Sequence, residues 1–83
     1  MTYRLELAAV QDLLNTLPVD ALAGLPEVWA LLELTPWAGA PWIHDNPGGA
    51  LRVLTYAQGN GAVVYLVLED RRLVDVIDIW WTH

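Results

Sequence analysis

The chain has 83 residues, Lys+Arg 4 against Asp+Glu 10, a formal net charge of -6, no cysteine and 55% hydrophobic residues. That length holds one domain, 1–83, which buries only about 60–65% of its unfolded surface and therefore needs a dense core or a partner. Lack of cysteine excludes disulfides, thiolate metal sites and thiol nucleophiles, and the lack of lysine beside scattered Arg4, Arg52, Arg71 and Arg72 counts against a nucleic-acid module, whose affinity rests on cations.

The N-terminal run Met1 to Glu6 has no charged segment leading into an apolar one, so no secretory signal is expected. No apolar run approaches the roughly 20 residues that cross a bilayer, and a soluble, cytoplasmic protein without membrane contact is predicted. Tyr3, Leu5 and Leu7 alternate with Arg4 and Glu6, the period of a short strand with one buried face. From Ala8 the period changes: Val10, Leu13, Leu14 and Leu17 form a helical stripe that Pro18 stops. A second helical stretch starts near Asp20 and runs through Leu22, Leu25, Val28, Leu31 and Leu32. Pro26 either kinks it or opens the main helix at its first position, and Thr35-Pro36 ends it.

Residues 36–49, rich in proline and glycine, are expected to be a loop, with Trp37 and Trp42 covering an open end of the core or forming a binding lip. Three β-rich runs follow, 51–57, 62–68 and 73–81, joined by connections short enough to force antiparallel neighbours. The predicted class is α+β, in the order β-α-α-β-β-β, with a helical hairpin packed on a small, mostly antiparallel sheet.

This order, with the run Thr35-Pro36-Trp37-Ala38-Gly39-Ala40-Pro41 and the strands Val63-Val64-Tyr65-Leu66-Val67 and Val74-Asp75-Val76-Ile77-Asp78-Ile79, resembles the RelE/ParE toxin superfamily over nearly the whole chain. The resemblance implies a bacterial toxin–antitoxin system in which an antitoxin neutralises the toxin. One branch of the family cuts messenger RNA on the ribosome and the other poisons DNA gyrase. It also implies basic residues on the exposed sheet face, stabilising an attacked phosphate. Arg52 matches one such position, Ala62 replaces an arginine, and only His83 follows the position of a terminal basic residue, where it could serve as general acid.

Strand parity, taken without a bulge, places Leu54, Tyr56, Ala62, Val64, Leu66, Asp78, Trp80 and Thr82 on the face of Arg52. It places Leu51, Val53, Val63, Tyr65, Val67, Ile77, Ile79 and Trp81 under the helices. The Arg52 face is mostly apolar, so a second copy, an antitoxin segment or the Trp37/Trp42 loop should cover it, with Arg52 and Asp78 forming either a pair within that face or solvated charges at a sheet edge. A bulge near Ile77 would change the side taken by Asp78.

Other constellations are thin. His44-Asp45 has no serine or cysteine nucleophile to serve, and no close histidine pair supports a metal, so neither metal nor cofactor is expected. The leading expectation is a catalytically degenerate toxin-family protein that binds an antitoxin or pairs as a homodimer through Leu54, Tyr56, Val64, Leu66, Asp78 and Trp80 with Trp37 and Trp42. The alternatives are a ribosome-dependent mRNA endonuclease using Arg52 and His83, which meets nucleic acid only on the ribosome, and an acidic protein inhibitor.

Overall fold

The computed structural model describes residues 2–82. One five-stranded sheet has the order β1-β5-β4-β3-β2, with β1 Arg4–Glu6, β2 Ala40–Pro41, β3 Leu51–Tyr56, β4 Gly61–Leu68 and β5 Leu73–Trp81. Strands β2 to β5 pair antiparallel, whereas β1 runs parallel to β5. β1 and β2 are thus opposite edges, and the helical segment between them carries the chain across the sheet.

That segment is a hairpin whose first arm is a 3-10 turn, Ala8–Val10, leading into α1, Gln11–Thr16. Leu17 turns extended before Pro18, as the proline requires of its predecessor. The second arm is divided: α2 is Val19–Ala23, Gly24 breaks the line, and α3, Leu25–Leu34, has Pro26 in its first turn. Proline there opens a helix instead of kinking one, because a first-turn N–H has no intrahelical partner to lose. Thr35 closes α3 by donating its amide to the Leu31 carbonyl, and a 3-10 turn, Pro36–Ala38, leads to β2.

One cluster fills the space between hairpin and sheet: Val10, Leu25, Val28 and Leu32 from the helical side meet Val63, Tyr65, Val67, Val74, Val76 and Ile79 from the strands. Leu54 and Tyr56 of β3 pack against it. None of the described helices is long and apolar enough to cross a membrane.

The register corrects the expected sides of β3. Arg52 stands opposite Tyr65 and Leu54 opposite Val63, so Arg52, Leu54 and Tyr56 share the helix-covered face. Leu51 pairs with Leu66 and Val53 with Val64, which puts Leu51 and Val53 on the other face. A bulge in β5 gives the second correction. Val64 pairs with Asp78 and Tyr65 with Val76, so Ile77 is the extra residue and lies exposed instead of under the helices. Asp78 stays on the open face beside Trp80, while Val74 and Val76 are turned into the core. Arg52 and Asp78 therefore lie on opposite faces and form no pair.

Candidate functional site

Arg52 is 7% exposed, and its guanidinium is held entirely by backbone oxygens. Nε donates to the Gly39 carbonyl at 3.1 Å, one terminal nitrogen to Gly39 at 2.7 Å and Trp37 at 3.3 Å, the other to Gly49 at 3.0 Å and Pro47 at 3.2 Å. A guanidinium has five N–H donors, and these bonds take up all of them. The cation also sits 5.1 Å from the centre of the Trp37 ring. Arg52 is thus a clamp that shapes the segment from Trp37 to Gly49, and it presents no donor to a phosphate.

Neighbouring groups complete the anchor. The buried Tyr65 hydroxyl donates to the Pro36 carbonyl, and burial pushes its pKa above the ordinary value of 10.0. Gly39 lies so close that a Cβ there would collide with that hydroxyl and come within 2.8 Å of the Val53 carbonyl. Trp37 donates its indole N–H to Glu69 Oε1 at 2.8 Å, and Tyr3 donates its hydroxyl to the same oxygen at 2.7 Å. Arg72 bonds Glu69 Oε2 at 2.8 Å and lies over the Tyr3 ring at 4.2 Å. The bonds from Tyr3 and Trp37, then that from Arg72, hold the Glu69 carboxyl below its usual range, and the bond to Glu69 raises the Tyr3 hydroxyl. Trp37 is therefore a strut at the end of the molecule that carries the β4–β5 turn.

None of the described helices packs on the opposite face of the sheet. It presents Leu51 and Val53 of β3, Ala62, Val64, Leu66 and Leu68 of β4, and Leu73, Asp75, Asp78 and Trp80 of β5. Trp42 follows β2 and pairs by its N–H with the Leu51 carbonyl, so it faces the same way. The rings of Trp42 and Trp80 reach towards each other across β3 and β4 and meet edge-on at 5.5 Å. Val64 is only 5% exposed although no helix covers it, whereas Trp42 remains 43% and Trp80 50% exposed. Of the expected covers, the loop supplies Trp42, with Ile43 and Asn46 bordering Leu51 and Leu66. Trp80 is oriented by its own strand, with its indole N–H donating to Asp78 Oδ2 at 2.6 Å.

A hollow of about 270 Å³, lined by Ile43, Asn46, Gly49, Ala50, Leu51 and Leu66, opens beside this pair. A larger groove of about 560 Å³ lies on the helix side between α3 and β3, where Glu27, Val28, Leu31, Leu54 and Tyr56 line it. Tyr56 closes its floor by donating its hydroxyl to the Ala21 carbonyl at 2.9 Å and stacking near Trp81 at 5.9 Å.

Of the residues expected to bind a partner, Val64, Leu66, Asp78, Trp80 and Trp42 come together on the open face. Leu54 and Tyr56 are on the other side, and Trp37 is at the loop anchor. His83, expected as a general acid, lies outside the described residues. His44 Nδ1 is 3.9 Å from Asp45 Oδ1 with both side chains fully exposed, and nothing nearby gives that pair a reacting group. Among the described residues no three His, Asp or Glu side chains gather as a metal site would require. Leu51 and Val53 belong to the open face because pairing with β4 sets β3 in the phase opposite to the one expected, and Ile43 borders Leu51 from the loop, where no periodicity marks it. Compared with protein-family models, curated proteins and solved structures, the chain matches none.

Proposed function

We propose that the chain is a RelE/ParE-like protein of a bacterial, cytoplasmic toxin–antitoxin system that has given up RNA cleavage and works by protein binding through the open sheet face. Support for the lineage comes from the element order, a helical hairpin carrying the chain from one sheet edge to the other, and the Thr35-Pro36-Trp37 run that ends α3. The observation that carries the loss of catalysis is the full engagement of Arg52 by loop carbonyls. Ala62 takes the place of a second cation, and Arg72 is bonded to Glu69. What the open face offers instead is indole and aliphatic surface, which suits a polypeptide and cannot neutralise a phosphate undergoing attack.

The test is a reconstituted bacterial translation reaction with the purified chain added in excess over ribosomes. Messages should remain full-length when mapped by primer extension. Cleavage within the ribosomal A site would overturn the proposal.

A further inference from the structure

We infer that the open face takes a cationic amphipathic segment of a partner protein, one that sets an aliphatic side chain into the hollow at Leu51 and Leu66 and a lysine or arginine against Asp75. This rests on the docking reading above and adds the partner's chemistry. The first ground is a juxtaposition made by the bulge. Asp75 and Asp78 are three apart and in a regular strand would point to opposite faces. With Ile77 extruded, Asp75 stands opposite Leu66 and Asp78 opposite Val64, so both residues share the open face, their backbones about 7 Å apart. Glu6 of β1 is aligned with Asp75 and extends the same acidic border.

The second ground is that the border is largely uncompensated. Asp75 has no hydrogen-bond or ion-pair partner among the described residues, while Asp78 binds its own strand's Ile79 amide and the Trp80 indole. Among the described residues Arg4, at the β1 margin, is the one arginine with a register position on this face; Arg52 is inside the loop and Arg72 is bonded to Glu69. The third ground is adjacency. Leu66 lines the hollow and its register partner is Asp75, so apolar seat and carboxylate lie one strand apart, about 5 Å. A second copy would bring another charge of -6 and another acidic border to a face where carboxylates outnumber Arg4, which disfavours self-pairing.

The test uses a short helical peptide of leucine and lysine, its apolar stripe bordered by lysines, with leucine/glutamine and leucine/glutamate versions as comparisons. Binding is followed by NMR of the full chain. The lysine peptide should shift the Trp42 and Trp80 indole signals and the Leu51 and Leu66 amides, with an affinity that falls as salt rises. Asp75→Asn should weaken it about three- to tenfold, and Glu27→Gln, a carboxylate on α3, should leave it unchanged. Because the salt series uses the wild-type chain, it reads the same charge should Asp75→Asn fold poorly. Equal binding of the glutamine peptide, or a concentration-dependent dimer that shifts the same signals, overturns the cationic partner and leaves docking intact. Absence of any shift at Trp42, Trp80, Leu51 and Leu66 with every peptide overturns both.

Discussion

At Arg52 a cation that reads from sequence as a phosphate ligand has become a piece of architecture. Charge on a buried side chain is costly unless matched, and here backbone carbonyls and an indole face replace a carboxylate. The demand is for a planar fork, so Arg52→Lys leaves carbonyls unpaired and should cost about 1–2 kcal/mol, and Arg52→Ala about 2–4 kcal/mol, both read as lower urea midpoints. If Arg52→Ala kept the wild-type midpoint, the clamp would be unsupported. Gly39→Ala should destabilise by a comparable amount through its collision with Tyr65 and the Val53 carbonyl. Glu69 gives a pH prediction. Its folded pKa lies below the unfolded value, so its stabilisation is complete above the ordinary glutamate range and is lost as pH falls through the folded value. Stability followed from about pH 6 to pH 3 should fall less steeply in Glu69→Gln than in wild type. Parallel slopes would show that the Tyr3–Glu69–Trp37 contact contributes nothing.

Elements carry the next layer. Strand positions and the antiparallel order of β3, β4 and β5 were legible because apolar runs alternate with short polar turns, and the prolines marked where helices stop and start. The relative phase of β3 was not legible. Val63 to Leu68 is apolar on both faces, so alternation within β4 cannot say which face of β3 it meets, and only the intervening turn sets that. In that turn Ala57, Gln58 and Gly59 have φ of 53°, 55° and 89°, a left-handed run that costs two non-glycine residues strain. Gln58→Gly should therefore raise stability by about 0.5–1 kcal/mol, and a loss of stability would contradict the strain. The two-residue β2 was hidden inside a loop of prolines and glycines, where no periodicity can develop. The bulge was foreseeable as a place, not as an outcome. It leaves Asp78 outside and Val74 and Val76 inside, and because Val76 and Asp78 already pair with the adjacent Tyr65 and Val64, deleting Ile77 should give a regular strand that keeps every side and a cooperative urea transition, as should Ile77→Thr; loss of the transition on deletion would contradict the bulge.

For the whole molecule, the candidate site was half legible. An apolar face awaiting a cover follows from strands that are greasy on both sides, but which residues make it depends on pairing and on the bulge. Trp42 covers part of it, and the loop residues Ile43 and Asn46 border Leu51 and Leu66. The net charge of -6 on 83 residues opposes self-association, so light scattering should give the mass of one chain, 9.2 kDa, with dimer only at high salt if at all. The central claim is the sidedness of the sheet: Arg52 inside, and Leu51, Val53 and Leu66 half-buried on the other face. Methyl NMR with a soluble paramagnetic probe tests it most directly. Methyls of Leu51, Val53 and Leu66, which are half-buried, should relax clearly faster in dilute solution than those of the buried Val63, Val67, Val74 and Val76. Protection of Leu51, Val53 and Leu66 at every concentration would contradict the account.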